Sequence, residues 1–286
     1  MMSHWSLWED EGTSLYFSQH PTKPFPSYFP VYFYLLNWLY ALTGVSVLAG
    51  RALSACLGLS TLGVTFLILK RFLDRQAACW AVLFMAVNLG HLFWSQSIRY
   101  YILLLLWQLL SIACFIRGCE RQQRSLLVLS NLFLLLAVLT HLSGALLFPV
   151  YAGYLCLTWL AGCDRRYPLR VYGWFGITFL LVSTFLGWQY IAFRQSLAFL
   201  VTSPEGVSVP GLLLRLAVYQ GLPALCLSGV GICLGWRRLA ARRLLLLGLL
   251  AYLPLFELLV MAARNTVIVL WYQAFFMVFG LSALAG

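Results

Sequence analysis

Charge is scarce in this chain and acid scarcer still: 9% of its 286 residues are charged, and Asp and Glu together number 8. Soluble proteins carry about 25% charged residues. Joined to a hydrophobic content of 62%, that scarcity excludes a water-soluble domain. No CxxC pair occurs. The eight cysteines (Cys56, Cys79, Cys114, Cys119, Cys156, Cys163, Cys226 and Cys233) fall inside apolar runs or at their basic ends. Neither a disulfide framework nor a cysteine metal site is implied. A nucleotide-binding glycine loop is missing too, since Gly229-Val230-Gly231 lies inside an apolar run, where small residues let helices approach. Internal repeats and low-complexity tracts are absent. So is any period-2 alternation, which excludes a transmembrane barrel.

What is present is a series of continuous apolar runs about 20 residues long, the length a helix needs to cross hydrocarbon. They predict spans at 46–69, 77–95, 99–118, 125–142, 144–162, 171–191, 211–234, 244–262 and 267–285. The fold class is therefore all-α, a polytopic transmembrane helical bundle of about nine spans. Residues 27–44 are apolar but crowded with Tyr28, Phe29, Tyr32, Phe33, Tyr34, Trp38 and Tyr40, which suits an interfacial helix better than a crossing.

Basic residues orient the bundle, because positive charge is retained in short cytoplasmic loops. Lys70, Arg71 and Arg75 share one loop, Arg117, Arg121 and Arg124 another, Arg165, Arg166 and Arg170 a third, and Arg237, Arg238, Arg242 and Arg243 a fourth. Every second loop is basic. The net charge of +11 is thus a topology signal and a contact for anionic membrane lipids, and it needs no nucleic acid. The opposite face collects Glu9, Asp10, Glu11 and Lys23, the stretch from Ser95 to Arg99, then Arg194, Glu205 and Arg264. Arg51, His91, His141 and Arg215 lie near that face as well. The acidic start lies outside with no span before it to deliver it there, and the end at Gly286 directly follows a span. Both features read as a chain truncated at both ends. The expected organisation is one domain over 1–286: an external acidic loop at 1–26, an interfacial helix at 27–44 and transmembrane helices at 46–285.

Several motifs follow in order along the outer face: "WEDEG", the aromatic "FPSYFPVYFYLLNWLYALTG", Arg51 opening a small-residue span, "FWSQSIRYY" and "LTHL". In that order they resemble the GT-C superfamily of membrane glycosyltransferases. The likeness is to glycosyltransferase family 39, the protein O-mannosyltransferase-like branch, and to the lipid A aminoarabinose and lipopolysaccharide sugar transferases. It covers most of residues 6–145 and returns at Arg264 to Gly286.

The resemblance implies a transferase that moves a sugar from a polyprenyl-phosphate donor to a glycan, lipid or protein acceptor. Asp10 and Glu11 match the acidic pair of its first external loop, the Asp as base or metal partner and the Glu placing the acceptor. Ser95 and Gln96, with Arg99 and Tyr100, match its SQ-x-x-R-Y signature, whose Arg contacts the donor phosphate. The paired prolines usual before the aromatic run appear only as separated Pro26 and Pro30, and the late Arg-Tyr feature is the looser Arg264 to Tyr272.

The residues support this chemistry on their own terms. Glycosyl transfer needs a carboxylate to accept the hydroxyl proton and a cation for the departing phosphate. Asp10 supplies the first, and Arg99 supplies a permanent charge whose planar fork fits phosphate oxygens. Tyr100 either adds a hydrogen bond or belongs to the interfacial aromatic belt. Arg51 either caps its span or joins Arg264 in facing the phosphate; His91 and His141 either pack between helices or ligate a metal, and His141 is also a candidate for positioning substrate. Glu257, an acid well inside a span, either pairs with Arg264 or takes part in the chemistry. The sequence identifies no certain cofactor, and a divalent cation is left open. The expected product is inverted at the anomeric carbon, and the expected site faces the periplasm of a bacterial inner membrane. A transporter or flippase-like protein for a polar or lipid-linked substrate is the alternative, although transporters place paired charges near the midplane of internal repeats. A polysaccharide ligase or polymerase is a third reading.

Overall fold

In the computed structural model, residues 9–20, 30–72, 75–141, 144–145 and 147–160 are described, with isolated helical positions between 173 and 184. All regular structure among them is helical: α1 (Glu9–Gln19), α2 (Pro30–Thr43), α3 (Val47–Phe72), α4 (Arg75–Val87), α5 (Leu89–Gln96), α6 (Tyr101–Arg121), α7 (Arg124–Thr140) and α8 (Leu147–Leu160). Two of these, over Val47–Arg71 and Tyr101–Arg121, are long and apolar enough to cross a membrane singly. The expected spans at 211–234, 244–262 and 267–285, most of 171–191, and with them Glu257 and Arg264, lie outside the described residues.

Two compact units emerge, one from Met1–Leu67 with His91–Ala145 and one from Ile68–Gly90 with Leu146–Gly286. In the second, α4 buries Ala78, Ala81 and Met85, spaced three and four apart on one helical face, while Trp80, Leu83, Phe84 and Val87 are exposed. α8 buries Leu147, Phe148, Val150, Tyr151 and Leu155.

The first unit holds the polar chemistry. The segment expected as an external acidic loop contains α1, whose opening Glu9-Asp10-Glu11 suits the positive end of a helix dipole. α1 is tied to α2 where the Asn37 amide donates to the Ser18 carbonyl at 2.7 Å and Phe17 meets Phe33 with ring centroids 5.9 Å apart. α2 buries Tyr32, Phe33, Leu36 and Tyr40 against Ile98 and Leu103. Its opposite stripe of Tyr34, Trp38 and Leu42 is exposed, one helical face at a spacing of four. The tight α2–α3 join has a residue-level cause at each end. Gly44 takes φ +79°, a conformation open to glycine, and donates its N–H to the Tyr40 carbonyl at 2.9 Å. Ser46 then caps α3 by accepting the Ala49 N–H at 3.0 Å.

Along α3 the buried seam is polar or small: Arg51, Ser54, Gly58, Thr61 and Thr65, at alternating steps of three and four. Lipid supplies no hydrophobic drive between helices, so close small-residue contact and hydrogen bonds hold such a seam to its neighbours. The predicted span at 77–95 divides at Asn88, whose side-chain oxygen accepts the Gly90 N–H at 3.0 Å. A short polar side chain that bonds the backbone locally competes with helix continuation. α6 and α7 form a hairpin turned by Gln122 in the left-handed region at φ 52°, with the Gln122 and Gln123 N–H groups both directed to the Gly118 carbonyl.

Candidate active site

The site is built where α1, α3 and the turn between α5 and α6 meet. Glu11 and Arg51 form an ion pair, 2.7 Å from Nη2 to Oε2, with side chains 4% and 5% exposed. Arg51 Nε also donates to Glu11 Oε1 at 3.2 Å, which completes the two-pronged geometry a guanidinium allows. The same Oε1 accepts the backbone N–H of Ile98 at 3.0 Å. Glu11 therefore satisfies a cation from α3 and an amide from the turn together. An isolated charge at such depth would be costly, and this pairing is what makes its burial tolerable.

Residues 97–99 form a three-residue turn in which the Arg99 N–H donates to the Ser97 carbonyl at 2.8 Å. Ser54 donates its hydroxyl to that same carbonyl at 2.7 Å. Arg99 itself is 9% exposed, and its guanidinium carbon lies 5.0 Å from the Tyr100 ring centroid and 5.6 Å from that of Tyr101. Both distances fall in the cation–π range. His141, just past the end of α7, stacks on Tyr100 with centroids 5.2 Å apart and planes 16° from parallel. Tyr32 from α2 meets the Tyr100 edge at 6.4 Å, and Trp94 meets Tyr101 at 4.4 Å. The result is a buried cation held among aromatic faces.

The expected site residues divide by location. Glu11, Arg51, Arg99, Tyr100 and His141 come together. Asp10 lies beside Glu11 at the start of α1. Gln96 is half-buried at the end of α5, next to the turn. Ser95 belongs to a separate packing contact: its hydroxyl donates to the His91 carbonyl at 2.6 Å and it lies against Gly58 of α3. Beside it, His91 Nε2 and the Thr61 hydroxyl are 2.9 Å apart, and Thr61 donates to the Gly58 carbonyl at 2.6 Å. His91 thus meets Thr61 through Nε2 and Ser95 through Nδ1, a histidine satisfied inside a helix contact. Arg264 lies outside the described residues. Sequence reasoning missed Ser54, Tyr101, Trp94 and the Ile98 amide. Tyr101 and Trp94 stood in the quoted "FWSQSIRYY", and Ser54 stood one helical turn after Arg51. Among the described residues no three His, Cys, Asp or Glu side chains converge to hold a metal ion.

With this geometry in view, known proteins are informative. Residues 19–188, more than half of the chain, match the family of dolichyl-phosphate-mannose-protein mannosyltransferases. The chain belongs to that family. It is an integral membrane protein of the GT-C superfamily. No curated protein matches it. Among solved structures, it resembles ArnT from Cupriavidus metallidurans in the apo state, with TM-score 0.72, 16% identity, and coverage of 99% of this chain and 56% of that one. The same ArnT bound to undecaprenyl phosphate gives TM-score 0.70 and 17% identity, again over 99% and 56%. The chain thus spans a little over half the length of the structures it matches, and at that identity the likeness is one of fold.

Proposed function

We propose that the protein is a membrane glycosyltransferase that moves a sugar from a polyprenyl-phosphate-linked donor to an acceptor hydroxyl. The observation that carries this reading is Arg99, a buried arginine packed over two tyrosines beside the acidic helix α1, in a chain of a transferase family. The fold-related ArnT was solved with undecaprenyl phosphate bound, which supports a donor of that lipid class. In the reaction, the acceptor oxygen attacks the anomeric carbon as the bond from that carbon to the phosphate oxygen breaks. Asp10 takes the acceptor proton, and the leaving polyprenyl phosphate keeps the bonding electrons with its charge met by Arg99. Direct displacement inverts the anomeric centre. Glu11 has both oxygens engaged by Arg51 and Ile98, so its part is to hold α1 against the turn. Among the described residues no three His, Cys, Asp or Glu side chains converge, and no step here runs through a cation.

The site faces the periplasm of a bacterial inner membrane, where the prenyl tail stays in the bilayer while the head group reaches the interface. The acceptor is a glycan, lipid or protein hydroxyl. The transporter alternative is disfavoured by membership of a transferase family. The test gives full-length protein in membranes radiolabelled polyprenyl-phosphate sugars and compares wild type with Asp10→Asn and Arg99→Ala at equal insertion. Transfer by wild type and losses of about a hundredfold or more in both variants support the reading. Normal transfer by both variants overturns the assignment of the site.

A further inference from the structure

The turn that carries Arg99 is held from both sides, by Glu11 of α1 and by Ser54 of α3. Its internal hydrogen bond, from the Arg99 N–H to the Ser97 carbonyl, spans only three residues, so it is bent and correspondingly weak. Two elements supply the stiffness. Glu11 takes the Ile98 N–H at 3.0 Å, and Ser54 gives its hydroxyl to the Ser97 carbonyl at 2.7 Å. Ser54 is fully buried, and its other acceptor, the Gly50 carbonyl one turn back on α3, is more distant at 3.3 Å. A serine within a helix ordinarily returns its proton to its own helix. Here the shorter bond goes outward to the turn.

We propose that Ser54 is a positioning residue for Arg99, fixing the Ser97 carbonyl so that the guanidinium stays over Tyr100 and Tyr101, ready for a lipid phosphate. Ser54 and Glu11 divide the work. Glu11 fixes the amide in the middle of the turn, and Ser54 fixes the carbonyl at its start. An arginine has several rotatable bonds, so binding is strengthened when that freedom is removed beforehand. The inference rests on the reading of Arg99 as the donor-phosphate clamp.

The experiment uses the full-length protein in nanodiscs with undecaprenyl phosphate as probe. Affinity is measured for wild type, Ser54→Ala, Ser54→Thr, Arg99→Ala and the Ser54→Ala/Arg99→Ala double variant. Ser54→Ala is expected to bind about tenfold more weakly, the scale of one hydrogen bond. Ser54→Thr, which keeps the hydroxyl, is expected to bind like wild type. In the Arg99→Ala background, adding Ser54→Ala should cost nothing more, because the residue acts through Arg99. Unchanged affinity in Ser54→Ala, or losses that multiply in the double variant, overturn the proposal.

Amide hydrogen exchange supplies a readout independent of the ligand. Amides of residues 97–100 should exchange faster in Ser54→Ala while those of α6 and α7 keep their rates. Failure of wild type to bind the lipid phosphate removes the function reading alone, and exchange then decides the positioning claim: faster exchange at 97–100 supports it and unchanged exchange overturns it.

Discussion

Two regions of the first unit bury polar groups in different ways. At the α6–α7 hairpin, Ser111 donates to the Ser130 carbonyl and Ser130 to the Ser111 carbonyl, each at 2.9 Å. The two hydroxyls are 3.2 Å apart. That contact is neutral and reciprocal. At the other region, Glu11, Arg51, Ser54 and the 97–99 turn bury full charges, and the hydrogen bonds run on to the backbone that presents Arg99. The difference teaches what each is for. Two serines are an inexpensive way to bring helices close, whereas a buried ion pair often stabilises less than well-packed apolar residues would. Here the ion pair also reaches a turn, through the Ile98 N–H on Glu11 Oε1.

The most severe break should come from Glu11→Ala. It strands the Arg51 guanidinium and the Ile98 N–H together, and losing one partner of a buried pair costs about 3–5 kcal/mol. Thermal unfolding in detergent should fall accordingly. Replacing both partners, Glu11→Leu with Arg51→Met, should recover most of that stability while lipid-phosphate binding stays impaired, because the Ile98 amide has still lost its acceptor. Recovery of binding along with stability would show that the ion pair serves packing alone.

Next in size are the glycines that permit close approach. A Cβ on Gly58 would run into the Ser95 hydroxyl and lie 2.8 Å from the Ser95 Cβ, an atom fixed to its backbone. A Cβ on Gly118 would lie 2.7 Å from Leu127 Cδ2 and 2.8 Å from its Cγ, the outer part of a flexible side chain. Both overpack, and they differ in what can yield: Leu127 can swing its Cγ and Cδ2 away, leaving its backbone N at 3.2 Å, whereas a rotation of Ser95 moves its hydroxyl but not its Cβ at 2.8 Å. Gly58→Ala should therefore lose about 2–3 kcal/mol and Gly118→Ala nearer 1 kcal/mol in thermal stability. Adding Ser95→Gly to Gly58→Ala should restore much of the loss, and equal losses at the two glycines would overturn the argument.

Much of this architecture was legible in the sequence, for physical reasons that also mark where legibility stops. Long apolar runs are read against a fixed membrane thickness, so α3 at Val47–Phe72 and α6 at Tyr101–Arg121 fall within a few residues of the expected 46–69 and 99–118. The boundary between the expected interfacial helix ending at 44 and the span opening at 46 falls at the α2–α3 join from Gly44 to Ser46. Asn88 was not, since one polar residue in an apolar run breaks a helix only if its side chain finds the backbone. In the site, an acidic pair announces chemistry but not which acid is committed to an arginine forty residues on. Ser54 gave no signal because a serine on a span is as often packing as positioning, and only the Ser97 carbonyl distinguishes the two.

A milder perturbation separates the charge of Arg99 from its shape. Arg99→Lys keeps one positive charge but loses the planar fork and the flat face that lies over Tyr100 and Tyr101. Donor binding and transfer should fall about tenfold, equivalent to about 1.4 kcal/mol, with thermal stability near wild type. Activity equal to wild type would mean that charge alone is used and that the aromatic surround is packing.

The smallest expected effect lies at the neutral contact, and it tests the comparison from the other side. Ser130→Ala removes one hydroxyl from the hairpin, leaving the Ser111 carbonyl without that donor while Ser111 keeps its own bond to the Ser130 backbone. Hydrogen bonds between helices in a membrane average about 0.6 kcal/mol, because the separated helices also find partners. Thermal stability should fall by about that amount, and undecaprenyl phosphate binding should stay at the wild-type value, since nothing in this contact leads to the turn. A large loss of binding from Ser130→Ala would mean that the hairpin transmits to Arg99, and the division between a reciprocal neutral contact and one that presents a residue would fail.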